Sequence, residues 1–148
     1  MNTFNIEGKI LDLSTAKVMG ILNITTDSFF DGGKCLTKNK ILERCKKMLL
    51  EGVSIIDIGA QSSRPGAKPV DFEIEKKRLL TAISYVKQYF PDIIISVDTY
   101  NAEIARICLL NGADMINDIS AGEMDEKMFE LVVDLDIPYI MMHMQGTP

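Results

Sequence analysis

Apolar positions along this chain fall into two alternating patterns. Continuous runs of two to six residues are separated by stretches whose apolar residues recur every three or four positions. The runs are Val18 to Leu22, Val53 to Ile58, Ile93 to Val97, Met115 with Ile116, and Tyr139 to Met142. A run with no polar alternation predicts a strand buried on both faces, as in a parallel sheet covered by helices. Between the runs, Ile41, Leu42, Cys45, Met48 and Leu49 mark one helix over Thr37 to Glu51, with Gly52 as its stop. A second helix is predicted from Asp71 to Phe90, burying Leu79, Ile83 and Val86 and ending at Pro91. A third follows Thr99 or Asn101 and carries Ile104, Ile107, Cys108 and Leu110 to Gly112. The fourth begins near Asp125 and presents Phe129, Val132 and Val133. Before this alternation, Phe4 to Ile6 and Lys9 to Leu13 around Glu7-Gly8 predict a small β-hairpin.

Each run ends in a side chain that can grip a ligand: Asn23, then Gln61-Ser62-Ser63, then Asp98, then Asn117 with Asp118, and finally His143. Parallel strands put their carboxyl ends on one rim, and in open α/β sheets and (β/α)8 barrels that rim is where ligands bind. Turns also need polar residues after strands, which explains any one of these positions on its own but not all five together.

Composition narrows the class. The chain has 148 residues, 47% hydrophobic and 25% charged, which suits one globular domain without internal repeats or linkers. A net charge of −5, with no basic stripe, argues against a nucleic-acid or anionic-membrane partner. No apolar run nears the roughly 20 residues needed to cross a bilayer, and the first residues carry no signal-type core. Cys35, Cys45 and Cys108 have neither CxxC spacing nor an even count, so a reducing cytoplasm is the expected location.

Two long loops hold most of the candidate chemistry. Residues 23 to 34 are rich in oxygen donors and glycines, and exceed the usual two-to-six-residue connection. Asn23 offers a neutral carbonyl oxygen that suits a magnesium ion already holding phosphate oxygens. Gly59 to Ala67 sets hydroxyls and the Arg64 guanidinium where an anion could be held. Neither loop contains GxGxxG or GxxxxGK[ST], which weakens dinucleotide and P-loop readings. Both loops also read as plain surface connections.

The segments MGILNITTDSFFDGG and IIDIGAQSSRPGA resemble the two signatures of the dihydropteroate synthase family, and ISVDTYNAEIA, GADMINDISAG and MMHMQGTP continue the likeness in order. The resemblance implies the N-terminal part of a (β/α)8 TIM barrel, with about five parallel strands and four helices after a short hairpin. It implies an enzyme joining 6-hydroxymethyl-7,8-dihydropterin diphosphate to p-aminobenzoate, with release of pyrophosphate, and a target of sulfonamides. Position by position, it makes Asn23 the magnesium ligand and Ser63 the hydroxyl that meets the diphosphate. Asp98 and Asn117 become the pterin-binding pair, and Phe29, Arg64 and Pro65 the loop residues around p-aminobenzoate. No residue is assigned as nucleophile or acid–base catalyst, and His143 reads as structural. Thr26, Ala60 and Ser63 depart from the family's usual proline, glycine and threonine.

The residue chemistry agrees with this pairing. A pterin edge is rich in N–H donors, which the acceptor-only carboxylate of Asp98 can meet while the amide of Asn117 both donates and accepts. Asp98 also reads as a carboxylate at a helix N-terminus, and Asn117 as a turn former. A whole barrel takes about 250 residues, so the chain reads as an N-terminal half, without the family's later pterin-binding Asp and Lys, its Arg-x-His, or the helices through which the whole protein forms a homodimer. Two other readings stand beside it. One is the pterin-binding barrel of a methyltetrahydrofolate:corrinoid methyltransferase; the other is a non-catalytic pterin-binding module.

Overall fold

The structure is a computed structural model that describes residues 3–6, 8–25, 37–61 and 70–143. The chain opens with an antiparallel hairpin, β1 (Thr3–Ile6) and β2 (Lys9–Asp12), turning at Gly8. The alternating elements follow in order: β3 (Met19–Asn23), α1 (Lys38–Leu50), β4 (Ile55–Gly59), α2 (Phe72–Tyr89), β5 (Ile94–Asp98), α3 (Ala102–Leu110), β6 (Met115–Asp118), α4 (Lys127–Leu135) and β7 (Tyr139–Met141). Every expected strand and helix among the described residues is present, with ends shifted by one or two residues.

The sheet is parallel throughout, and its spatial order β3-β4-β5-β6-β7 is the order of the chain. Right-handed crossovers between strands added always on the same side put every connecting helix on the same face. The core follows this rule. Leu22, Ile56, Ile58, Ile95, Val97 and Ile116 pack in one cluster with Cys45 and Met48 of α1, Leu79 and Ile83 of α2, Ile104 and Cys108 of α3, and Met128 and Leu131 of α4. The period-two alternation sends the neighbouring residues to the opposite face.

That opposite face is layered. At its amino end, Ile55, Ile94 and Met115 pack beneath Ile6 and Leu11 of the hairpin, with Met19 and Ile140 beside them. Asp114 ties the hairpin down: it accepts from Lys9 Nζ at 3.0 Å, Lys87 Nζ at 2.9 Å and the Ile95 amide at 2.8 Å. Above this apolar layer the same face turns polar towards the carboxyl ends of the strands.

Three expectations need correction. Burial on both faces holds for β4 and almost all of β5 and β6, but β3 and β7 are edges among the described strands, and Ile21 and Met141 are each 60% exposed. In α3, Leu110 is 74% exposed, and Ala105 and Ala102 take the inner face with Ile104 and Cys108. In α4, Phe129 and Val133 lie outside, while Met128 and Leu131 are buried. Helix α4 is apolar around most of its circumference, so two stripes satisfy the helical period and contact with the sheet selects one.

Candidate functional site

Four adjacent strands, β3 to β6, end at one level. The register aligns Asn23 with Gly59, Gly59 with Asp98, and Asp98 with Asn117, all on the face away from the helices. A larger residue at Gly59 would be crowded there. A Cβ at this position would stand 3.1 Å from Asn23 Oδ1 and 3.1 Å from Asp98 Oδ2, so the two neighbouring side chains lean together over the bare backbone between them. Past the strand ends, Ile24 N donates to Gly59 O at 2.8 Å and Thr99 N to Asn117 O at 3.1 Å, which holds the rim rigid for one further residue.

One row deeper on the same face, Asp57 is aligned with Ser96. Asp57 is 4% exposed and Ser96 fully buried. Asn117 Nδ2 donates to Asp57 Oδ2 at 3.0 Å, whereas Asp57 Oδ1 and Ser96 Oγ have no hydrogen-bond partner. Burial raises the proton affinity of Asp57, opposed by Ser96 and Asn117.

A second polar group stands behind the rim on the helix side. Glu75, in the first turn of α2, is 2% exposed. It accepts from Thr99 Oγ1 at 2.8 Å and from Gln61 Nε2, while Tyr100 OH donates to Gln61 Oε1 at 3.1 Å. Glu75 thus joins the start of the loop after β4 to the residues just after Asp98. Burial raises its pKa against the two hydrogen bonds.

Asp98 gathers the consequences. Burial, followed by the charges of Asp57, Glu75 and Asp118, pushes its pKa up to about 7, and no basic side chain among the described residues opposes this. Such a carboxyl is poised to ionise when a cationic or donor-rich ligand arrives.

The sequence-predicted residues divide as follows. Asn23, Asp98 and Asn117 come together on the rim. Asp118 does not join them: it is fully buried and organises the next turn, accepting from Ser120 N and Oγ, Gly122 N and Tyr139 OH. His143 follows β7 and is exposed. Ala60 is fully buried, so its extra methyl relative to glycine is taken into the core. Phe29, Ser63, Arg64 and Pro65, together with Thr26, lie outside the described residues. Asp57, Ser96 and Glu75 were missed. For Asp57 and Ser96 the available signal was a lone polar residue inside the runs Ile55 to Ile58 and Ile93 to Val97, at a position facing away from the helices; Glu75, in the first turn of α2, gave none.

For magnesium, the donor set is thin. Among the described residues no group of three or more His, Cys, Asp or Glu side chains could hold a metal. The one neutral oxygen of Asn23, exposed at the rim, fits a hard cation that takes its remaining ligands from phosphate and water.

Comparison with known proteins gives the same picture. The streptococcal dihydropteroate synthase of Streptococcus pyogenes serotype M1 is 44% identical over 138 residues, covering 93% of this chain and 52% of that protein. The folic acid synthesis protein fol1 of Schizosaccharomyces pombe is 46% identical over 136 residues, 92% of this chain and 18% of that protein. Among solved structures, Xanthomonas albilineans dihydropteroate synthase with 4-aminobenzoic acid superposes with a TM-score of 0.89 at 35% identity, covering 100% of this chain and 54% of that one. Yersinia pestis dihydropteroate synthase in a sulfonamide drug complex gives 0.87 at 38%, covering 99% and 52%. The chain thus spans about half of these bacterial proteins, and its strands and helices are those of the N-terminal part of a (β/α)8 barrel. The pterin binding enzyme family model matches residues 19–148, and the chain belongs to that family.

Proposed function

We propose that the protein carrying this chain is a dihydropteroate synthase, a transferase of folate biosynthesis that condenses 6-hydroxymethyl-7,8-dihydropterin diphosphate with p-aminobenzoate. The observation that carries the reading is the register that puts Asn23, Asp98 and Asn117 side by side at the strand ends, with a desolvated carboxyl at the centre. In this reading the carboxylate of Asp98 pairs with the N–H edge of the pterin, and Asn117 offers its amide along the same ring. As the diphosphate leaves, positive charge grows on the methylene and the ring, and the ionised Asp98 favours that charge in a site shielded from water. Asn23 would hold magnesium together with the diphosphate oxygens, and the metal when bound would neutralise the leaving group. The amine of p-aminobenzoate then adds directly to the methylene, without a nucleophile from the protein. The C–N bond forms as the C–O bond to diphosphate breaks, with pyrophosphate released and the extra amine proton lost to water. Ser63 is assigned to the diphosphate, and Phe29, Arg64 and Pro65 to p-aminobenzoate and its sulfonamide competitors. A cytoplasmic location and a homodimeric whole protein belong to the same reading.

Synthase assays test this directly. The protein carrying this chain is expected to form dihydropteroate with magnesium, to lose activity in chelator, and to be inhibited by sulfonamides in competition with p-aminobenzoate. Methyl transfer from methyltetrahydrofolate to a corrinoid, with no dihydropteroate formed, contradicts it.

A further inference from the structure

Asp57 is an expensive residue for the fold to keep. It stands in the middle of a buried strand, 4% exposed, and one of its oxygens has no partner. A buried carboxyl with half its acceptors unmet costs stability, and an apolar side chain of similar volume would remove that cost. Neighbouring positions of β4 hold isoleucine. The other oxygen of Asp57 accepts from Asn117 Nδ2 at 3.0 Å.

That bond decides which way the Asn117 amide faces. An amide side chain can turn over with little change in shape, exchanging an acceptor for two donors. Asp57 is an acceptor and so selects the orientation with Nδ2 directed down to the strand interior, leaving the carbonyl oxygen Oδ1 on the side away from Asp57. With Asp98 next to Asn117 in register, the rim then presents two acceptors side by side, complementary to a heterocycle edge carrying adjacent N–H donors.

We propose that Asp57 is a positioning residue that locks the Asn117 amide with its oxygen towards the substrate, and so sets selectivity for a donor-edged heterocycle. This rests on the synthase reading above. It assigns Asp57 no contact with substrate.

The test is a set of variants in the protein carrying this chain, assayed for dihydropteroate formation. Asp57→Leu is expected to raise KM for dihydropterin diphosphate about tenfold, the loss expected for one misoriented hydrogen bond, with KM for p-aminobenzoate unchanged and Tm equal to or above that of the parent. In an Asn117→Ala background, Asp57→Leu is expected to add nothing, because its effect runs through the amide. Asp57→Asn, nearly isosteric and able to accept only by turning its own amide, is expected to give a smaller rise of about threefold, and it decides the matter if the leucine variant does not fold. An unchanged pterin KM in Asp57→Asn and Asp57→Leu, or a full additive effect in the Asn117→Ala background, overturns the inference while leaving the synthase reading intact. Failure of the parent itself to form dihydropteroate overturns the reading on which the inference rests.

Discussion

Asp98 carries the most testable chemistry at the scale of single residues. With its pKa pushed up to about 7, the folded protein holds a proton there that the unfolded chain releases near the ordinary value of 3.8. Below 3.8 both states are protonated and above about 7 both are ionised. Between them the fold binds the extra proton, so the contribution of Asp98 to stability falls as pH rises through this window. Thermal melting from pH 4 to 8 is expected to show that decline, and Asp98→Asn to flatten it. The ionised form is the one that meets a donor edge, so kcat/KM for the dihydropterin diphosphate is expected to fall as pH drops through about 7. Asp98→Asn should fold and lose on the order of 2 kcal/mol or more of transition-state stabilisation, roughly thirtyfold in kcat/KM. Near-normal kcat/KM in that variant would reduce Asp98 to a helix-terminal carboxylate.

At the scale of elements, the hairpin and the parallel sheet form one unit through Asp114. Its side chain is 3% exposed and meets two ammonium groups and a backbone amide, so removing its charge leaves both lysines without their anion. Asp114→Asn is expected to cost about 2–4 kcal/mol in denaturant unfolding, somewhat less than the roughly 3–5 kcal/mol of a fully buried pair because the two lysine side chains are 26% and 25% exposed. A loss under 0.5 kcal/mol would mean that the hairpin is held by Ile6 and Leu11 alone. Most elements were legible in the sequence because continuous apolar runs and helical periods differ sharply, as at Ile94–Asp98 against Phe72–Tyr89. The rim was legible too, since Asn23, Asp98 and Asn117 each close an apolar run. Legibility failed where burial depends on a partner far along the chain. Glu75 reads as an ordinary acid in the first turn of a helix, and only Thr99 and Gln61 make it an interior residue. Phe129 and Val133 fit a helical stripe as well as Met128 and Leu131 do, and only the position of the sheet separates the two.

For the whole molecule, the sequential order of the strands has two consequences. All helices lie to one side, leaving the other for the hairpin and, above it, the polar rim. Among the described strands β3 and β7 are edges, with exposed Ile21 on one and Met141 on the other. Open strand edges beside apolar side chains invite pairing with other chains. The 148-residue polypeptide by itself is therefore expected to self-associate, which light scattering checks. A monomer at every concentration would mean that neither edge recruits another chain.

The central claim is that the pterin lies on this rim. A crystal structure of the protein carrying this chain, soaked with the dihydropterin diphosphate or a stable pterin analogue, tests it most directly. The account predicts the pterin's N–H edge within about 2.7–3.2 Å of the Asp98 carboxylate, with the Asn117 carbonyl oxygen accepting beside it and its Nδ2 still bonded to Asp57. A pterin bound elsewhere, or seated here with no hydrogen bond to Asp98, would contradict it.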